Sequence, residues 1–192
     1  MKVDFRKTTF QTSCTRVADH PKDGLPAVLL VGRTNVGKST LINALASSKL
    51  AFSSKKAGKT KLLNYFLVDS KLYLVDSPGY GSTAYATMNT IFFAGMMEDY
   101  VKDPSLKAIV LLLDLRRDLG KDDQEFLSYL QNTGKRMILV LTKTDQMNQS
   151  ALHKAKKVAE GLGFDEVLLS DLKPASLEKI RGAIARAALE TR

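Results

Sequence analysis

The chain has 192 residues, 44% of them apolar, and carries a net charge of +9. That length suits one domain with its own core, no apolar run approaches a membrane span, and the single cysteine, Cys14, excludes an internal disulfide and fits a reducing compartment. The opening MKVDFRKTTF lacks the apolar stretch of a secretory leader, so a cytoplasmic protein without membrane attachment is expected.

Residues 1–24 are polar and end in HPKDGLP, which reads as an extension and connector before a domain over 25–192. AVLLV, from Ala27 to Val31, has no polar face, as expected of a strand buried on both sides. KSTLINALAS follows with helical periodicity through Leu41, Ile42 and Leu45. KLLNYFLV and KLYLVD are two strands joined at Asp69-Ser70, and so short a turn makes them antiparallel neighbours. AIVLLLD, RMILVLT and DEVLLS read as further strands, with helices near 88–101, 119–132, 149–161 and 175–190. Repeated βα units imply an α/β fold: a mostly parallel six-stranded sheet with one antiparallel edge strand and helices on both faces. In such sheets ligands sit beyond the carboxyl ends of the strands.

The motifs fall at those ends. GRTNVGKS, from Gly32 to Ser39, matches G-x-x-x-x-G-K-[ST] between a strand and a helix. Chance supplies that pattern in roughly one chain of this length in a hundred, and the strand–helix setting makes chance rarer still. Backbone N–H groups of Gly32, Arg33, Thr34, Asn35, Val36 and Gly37 would curl around phosphates at a helix N-terminus. Lys38 would reach the β- and γ-phosphates, Ser39 would offer a hydroxyl to Mg²⁺, and Thr40 is a candidate contact to the α-phosphate.

DSPG follows the strand KLYLV. Asp76 is a candidate Mg²⁺ carboxylate, Gly79 a candidate N–H donor to the γ-phosphate, and Ser77 and Pro78 complete the loop. D-x-x-G occurs by chance in about half of such chains, so its position is what counts. TKTD, residues 142–145, follows RMILVL. A carboxylate at Asp145 would accept from N1–H and the 2-amino group of guanine. Adenine would leave a buried carboxylate unpaired, a loss of about several kcal/mol. The stem of Lys143 would lie along the base, Thr142 would help tie this loop to the phosphate loop, and Thr144 completes the binding set. The same four residues also read as a polar loop before a helix. Thr60 is the candidate for a second Mg²⁺ hydroxyl and, with Lys38 and Gly79, completes the catalytic set; its basic loop reads equally as a mobile surface segment. The lysine runs at 49–61 and 153–157 attract polyanions, with RNA as one candidate and a solvated face as the other.

Taken in series, GRTNVGKST, GKTKLLNYF, DSPGYG, LLDLRRDLGKDDQEF and ILVLTKTD resemble the EngB (YihA/YsxC) family of ribosome-biogenesis GTPases, within the TrmE-Era-EngA-EngB-Septin-like class. The resemblance spans nearly the whole chain. It implies a Ras-like P-loop GTPase domain, GTP/GDP and Mg²⁺ as ligands, maturation of the large ribosomal subunit through ribosomal RNA, a link to cell division and septation, and a monomer. It extends the nucleotide-binding set to Gly58, Lys59, Lys61 and Leu62 around Thr60, and to Leu169, Ser170 and Asp171 behind the guanine. The family usually has two serines at that last loop, where this chain has LSD, and often a larger residue at Ser77. In related GTPases an asparagine placed like Asn35 helps coordinate K⁺; Asn35 also reads as a residue chosen for an unusual backbone angle. Two rivals, a nucleotide kinase and a module holding nucleotide structurally, have no use for TKTD and for a complete Mg²⁺ site, respectively.

Overall fold

The computed structural model describes residues 2–51, 62–81, 86–116 and 118–190, with residues 86–93 described at the backbone only. The strands are β1 (Thr8–Cys14), β2 (Ala27–Gly32), β3 (Leu63–Val68), β4 (Leu72–Asp76), β5 (Leu106–Leu113), β6 (Arg136–Leu141) and β7 (Glu166–Leu169). The helices are α1 (Lys38–Ala46), α2 (Ala86–Lys102), α3 (Lys121–Gln131), α4 (Gln149–Glu160) and α5 (Pro174–Leu189). The sheet runs β1-β3-β4-β2-β5-β6-β7.

The expected six strands are therefore seven among the described residues, and the expected antiparallel edge strand is not at the edge. β3 runs antiparallel to both neighbours, and β1, from the segment read as an extension, covers its free side from Thr8↔Val68 to Cys14↔Leu63. The difference has a local cause. Only the first and last residues of β1 are buried, so TTFQTSC carries little apolar alternation, and the register slips between Phe10 and Thr12. The β3–β4 turn is as read: Asp69 and Ser70 have φ of 49° and 51°, the paired left-handed angles of a tight hairpin.

The central strands follow from their composition. Every residue of β2 is buried, because Val28 and Leu30 pack toward α1 and α5 while Leu29 and Val31 pack toward the α2, α3 and α4 side. Fully burying each such side chain contributes roughly 1.5–3 kcal/mol, so a polar residue anywhere in β2 would break one core or the other. Met96 and Met97 are core residues. His20 is tucked against Asp103 at 3.2 Å with 15% of its side chain exposed. Cys14 is free and buried.

Helix α1 carries the phosphate-binding motif and is anchored at its far end. Arg181 of α5 donates to the carbonyls of Leu45 at 2.7 Å and Ala44 at 3.2 Å in the last turn, where the capping Ser47 N–H also reaches Ala44 O at 3.2 Å. Asn43 fixes the chain that follows, accepting from Leu50 and Ala51 N–H at 2.8 and 2.7 Å. Among the described residues no helix is long and apolar enough to cross a membrane.

Candidate nucleotide site

β2 lies between β4 and β5, the point where the strand order reverses, so the loop leaving Gly32 opens at the crevice of the sheet. Val36 turns back into the core at 3% exposure. Asn35 (φ 65°) and Gly37 (φ 110°) take left-handed angles that curl the loop, and α1 begins at Lys38. Asn35 thus does the conformational work that was one of its two readings. Ser39 is half-buried beside the loop, and Thr40 is exposed.

Two opposite charges are buried behind this loop. Lys38 is 9% exposed and its Nζ donates to the Gly32 carbonyl at 3.3 Å. Asp76, the last residue of β4, is 8% exposed, and its Oδ2 accepts from Ser39 Oγ at 3.5 Å. Burial pushes the Lys38 ammonium below its ordinary pKa, with Asp76 opposing. Burial pushes the Asp76 carboxyl up to about 6, against Lys38 and the Ser39 hydroxyl. Asp76 Oδ1 is buried with no hydrogen-bond partner among the described residues. An uncommitted carboxylate oxygen beside a serine hydroxyl is a hard-oxygen set that fits Mg²⁺, and a desolvated ammonium at a helix N-terminus fits phosphate. No group of three or more His, Cys, Asp or Glu that could hold a metal stands together among the described residues. The residues therefore suit an ion that shares its ligands with phosphate and water rather than an all-protein cage.

Residues 77–81 are stitched to the loop. Ser77, buried, bonds the Leu30 carbonyl through N–H at 3.2 Å and Oγ at 2.8 Å. Tyr80 N–H donates to Gly32 O at 3.3 Å and Thr34 N–H donates to Tyr80 O at 3.0 Å, so Arg33 and Tyr80 form a parallel bridge that prolongs the β2–β4 pairing. Gly79, with half-buried Pro78 before it, lies so close to the loop that a Cβ would stand 2.8 Å from Thr34 Cα and Oγ1. Arg33 donates to Asp123 at 2.8 Å and the Tyr80 hydroxyl donates to the same carboxylate at 3.1 Å. Sequence reading missed Asp123. Its only local signal is an acid in the first turn of a helix after Gly120, which marks a cap and not a partner 90 residues away.

The second loop assembles at the ends of β6 and β7. Thr142 is buried and bonds Leu113 O through N–H at 2.8 Å and Oγ1 at 3.3 Å. Thr144 N–H reaches Ser170 O at 3.4 Å, and Ser170 N–H reaches Leu141 O at 2.8 Å, which ties the TKTD and LSD loops together. Lys143 (φ 58°) crosses to the phosphate loop, donating to Asn35 O at 3.3 Å and pairing with Asp114 at 3.2 Å. Asp114 also takes Arg116 at 2.6 Å, and Arg116 bonds Gln146 as well. Hydrogen bonding from Arg116, helped by Lys143, holds the Asp114 carboxyl well below the usual carboxylate range. Asp145, expected to be buried, is exposed among the described residues. Leu169 ends β7 half-buried. Asp171, read as part of the guanine-backing set, instead turns its carboxylate to the start of α5, accepting from Ser176 Oγ at 2.6 Å and Lys173 N–H at 3.0 Å. Leu62 is half-buried just before β3. Gly58, Lys59, Thr60 and Lys61 lie outside the described residues.

A phosphate loop at the reversal point of a mostly parallel sheet, with TKTD two strands away, defines the P-loop GTPase class. A family model described as "50S ribosome-binding GTPase" matches residues 27–143. The "Probable GTP-binding protein EngB" of Lactobacillus helveticus is 39% identical over 151 residues, covering 78% of this chain and 77% of that protein. A crystal structure of a probable GTP-binding protein EngB superposes with a TM-score of 0.64 at 20% identity, covering 86% of this chain and 100% of that one. Era in complex with MgGDPNP and nucleotides 1506–1542 of 16S ribosomal RNA gives 0.64 at 22% identity, covering 88% and 58%. The two structures show the fold. The chain belongs to the EngB family of GTP-binding proteins, and its activity is GTP hydrolysis.

Proposed function

We propose that this GTPase is a switch in assembly of the large ribosomal subunit, required for normal cell division, and that it hydrolyses GTP slowly until a ribosomal partner engages it. The observation that carries the switch is the buried Lys38–Asp76 pair with Ser39 beside it, two charges placed for a triphosphate and its metal. Support for the ribosomal partner comes from the description of the matching family, the net charge of +9, and the ribosomal RNA bound by Era in its own complex.

In this reading the backbone of residues 32–37 grips the phosphates, with Lys38 neutralising the charge that spreads over the γ-phosphate as water attacks in line. Gly79 offers its N–H to the γ-phosphate, and Asp145 reads the guanine edge while Lys143 covers the base. Ser39, Asp76 and Thr60 would hold Mg²⁺, which would supply positive charge to offset that of the phosphates. Tyr80 stands where a glutamine could orient the attacking water. Its hydroxyl is instead given to Asp123, which argues for slow turnover of the protein alone. Asn35 is further proposed to take K⁺ through its exposed side chain, and equal hydrolysis rates in K⁺ and Na⁺ at matched ionic strength would remove that role.

The direct experiment is co-sedimentation with ribosomal particles in GDP or in a non-hydrolysable GTP analogue. Retention on large-subunit particles in the analogue, and release in GDP, is the expected result. Equal retention in both would refute a nucleotide-controlled switch.

A further inference from the structure

Three segments far apart in the sequence meet at one carboxylate. Asp123, in the first turn of α3, is 2% exposed. Its Oδ2 accepts from Arg33 Nη1 at 2.8 Å and from the Gly120 N–H at 3.0 Å, and its Oδ1 accepts from the Tyr80 hydroxyl at 3.1 Å. The Tyr80 ring lies against Phe126 of the same helix, centroids 4.6 Å apart. The Gly120 bond is an ordinary helix cap and accounts for an acid at this place. It does not account for the other two partners. A cap is satisfied at the surface, whereas this carboxylate is buried and its guanidinium partner comes from the phosphate loop.

We propose that Asp123 is a positioning residue of the GTP site: by gripping Arg33 and Tyr80 together it keeps residues 77–81 on the phosphate loop, so that Gly79 is in place when a γ-phosphate arrives. This rests on the reading of Gly79 given above. The physical reason is preorganisation. Gly79 lies close against Thr34, the bridge between Arg33 and Tyr80 sets the backbone after it, and Ser77 bonded to Leu30 O sets the backbone before it. The entropy of ordering that segment is therefore lost on folding rather than on binding. GDP has no γ-phosphate for Gly79 to meet, so Asp123 should matter for triphosphate and not for diphosphate. The backbone bond from Thr34 N–H to Tyr80 O survives without Asp123, which makes the expected effect moderate.

Titration calorimetry of the parent, Asp123→Asn and Tyr80→Phe with GDP and with a non-hydrolysable GTP analogue, both with Mg²⁺, tests this. GDP affinity should stay within about twofold of the parent in both variants. Analogue affinity should fall about tenfold in Asp123→Asn, which loses a charge-assisted bond, and about threefold in Tyr80→Phe, which loses a neutral one. A purely structural role would move both nucleotides together. Tyr80→Phe keeps the ring against Phe126 and decides the matter if Asp123→Asn fails to fold. An analogue-to-GDP ratio within twofold of the parent's overturns the inference. If the parent binds the analogue and the variants keep its ratio, only the role of Asp123 falls. If the parent does not bind the analogue, the guanine-nucleotide reading falls too.

Discussion

The two ends of the nucleotide site are built on opposite principles. At the phosphate end the protein buries its charges: Lys38 and Asp76 are each under a tenth exposed, and a backbone bridge joins Arg33 of the loop to Tyr80. At the base end Asp145 stands in solvent, while Thr142, Thr144 and Ser170 hold its loop by backbone bonds. A phosphate can be stripped of water by a rigid cradle, because its charge repays the desolvation of a lysine. A base has no net charge, and in the proposed reading its own face would complete the burial of the Asp145 carboxylate. One region is preorganised by packing, and the other is finished by its ligand.

Substitutions can break that contrast, and the largest effect is expected at the buried end. Lys38→Ala should lower kcat for GTP by about 10²–10³-fold, the loss typical of a preorganised charge aimed at a transition state. Single-turnover hydrolysis at saturating GTP would measure it. A loss below about threefold would mean that the ammonium serves the fold and not the reaction.

Gly79→Ala should come next. Its new Cβ meets backbone atoms of Thr34 at 2.8–2.9 Å, so the segment must move. About a tenfold fall in GTP turnover with GDP affinity retained is expected, since the proposed γ-phosphate donor would be displaced. Equal loss of GDP binding would show instead that the whole phosphate loop had collapsed.

Asp114→Asn sharpens the other side of the comparison and should act least. It frees Lys143 from one of its two anchors, so GDP and the GTP analogue should both weaken by about two- to fivefold, in proportion to one partly exposed ion pair. It also carries a pH signature. Because Arg116 and then Lys143 depress the Asp114 carboxyl, its contribution to stability is complete above about pH 4 and is lost as pH falls below that. The asparagine variant should therefore lose less stability than the parent between about pH 4 and pH 2. Thermal melts across that range would show it, and parallel acid profiles would contradict it.

What the sequence made legible follows the same physics. β2, β5 and β6 are buried on both faces and have to be continuous apolar runs, so their strands were readable. The phosphate loop is a local motif whose chemistry lies within nine residues. β1 escaped because only its ends are buried and its outer edge meets solvent, which leaves no period to detect. Asp123 escaped because its work is done across 90 residues to Arg33 and 43 to Tyr80, and spacing along the chain carries no trace of such a meeting. Asp171 was placed with the base because the family resemblance puts its loop there. Ser176, five residues on, offers a hydroxyl that draws the side chain to α5 instead.

The central claim is that an exposed carboxylate at the rim chooses guanine while buried charges hold the phosphates. Asp145→Asn tests it most directly, with GDP and xanthosine diphosphate affinities measured side by side. Replacing an acceptor pair by an amide should reverse the preference toward xanthosine, whose 2-position carries an oxygen where guanine has an amino group, by about 10²-fold or more. An asparagine variant that still prefers guanosine as strongly as the parent would contradict the account.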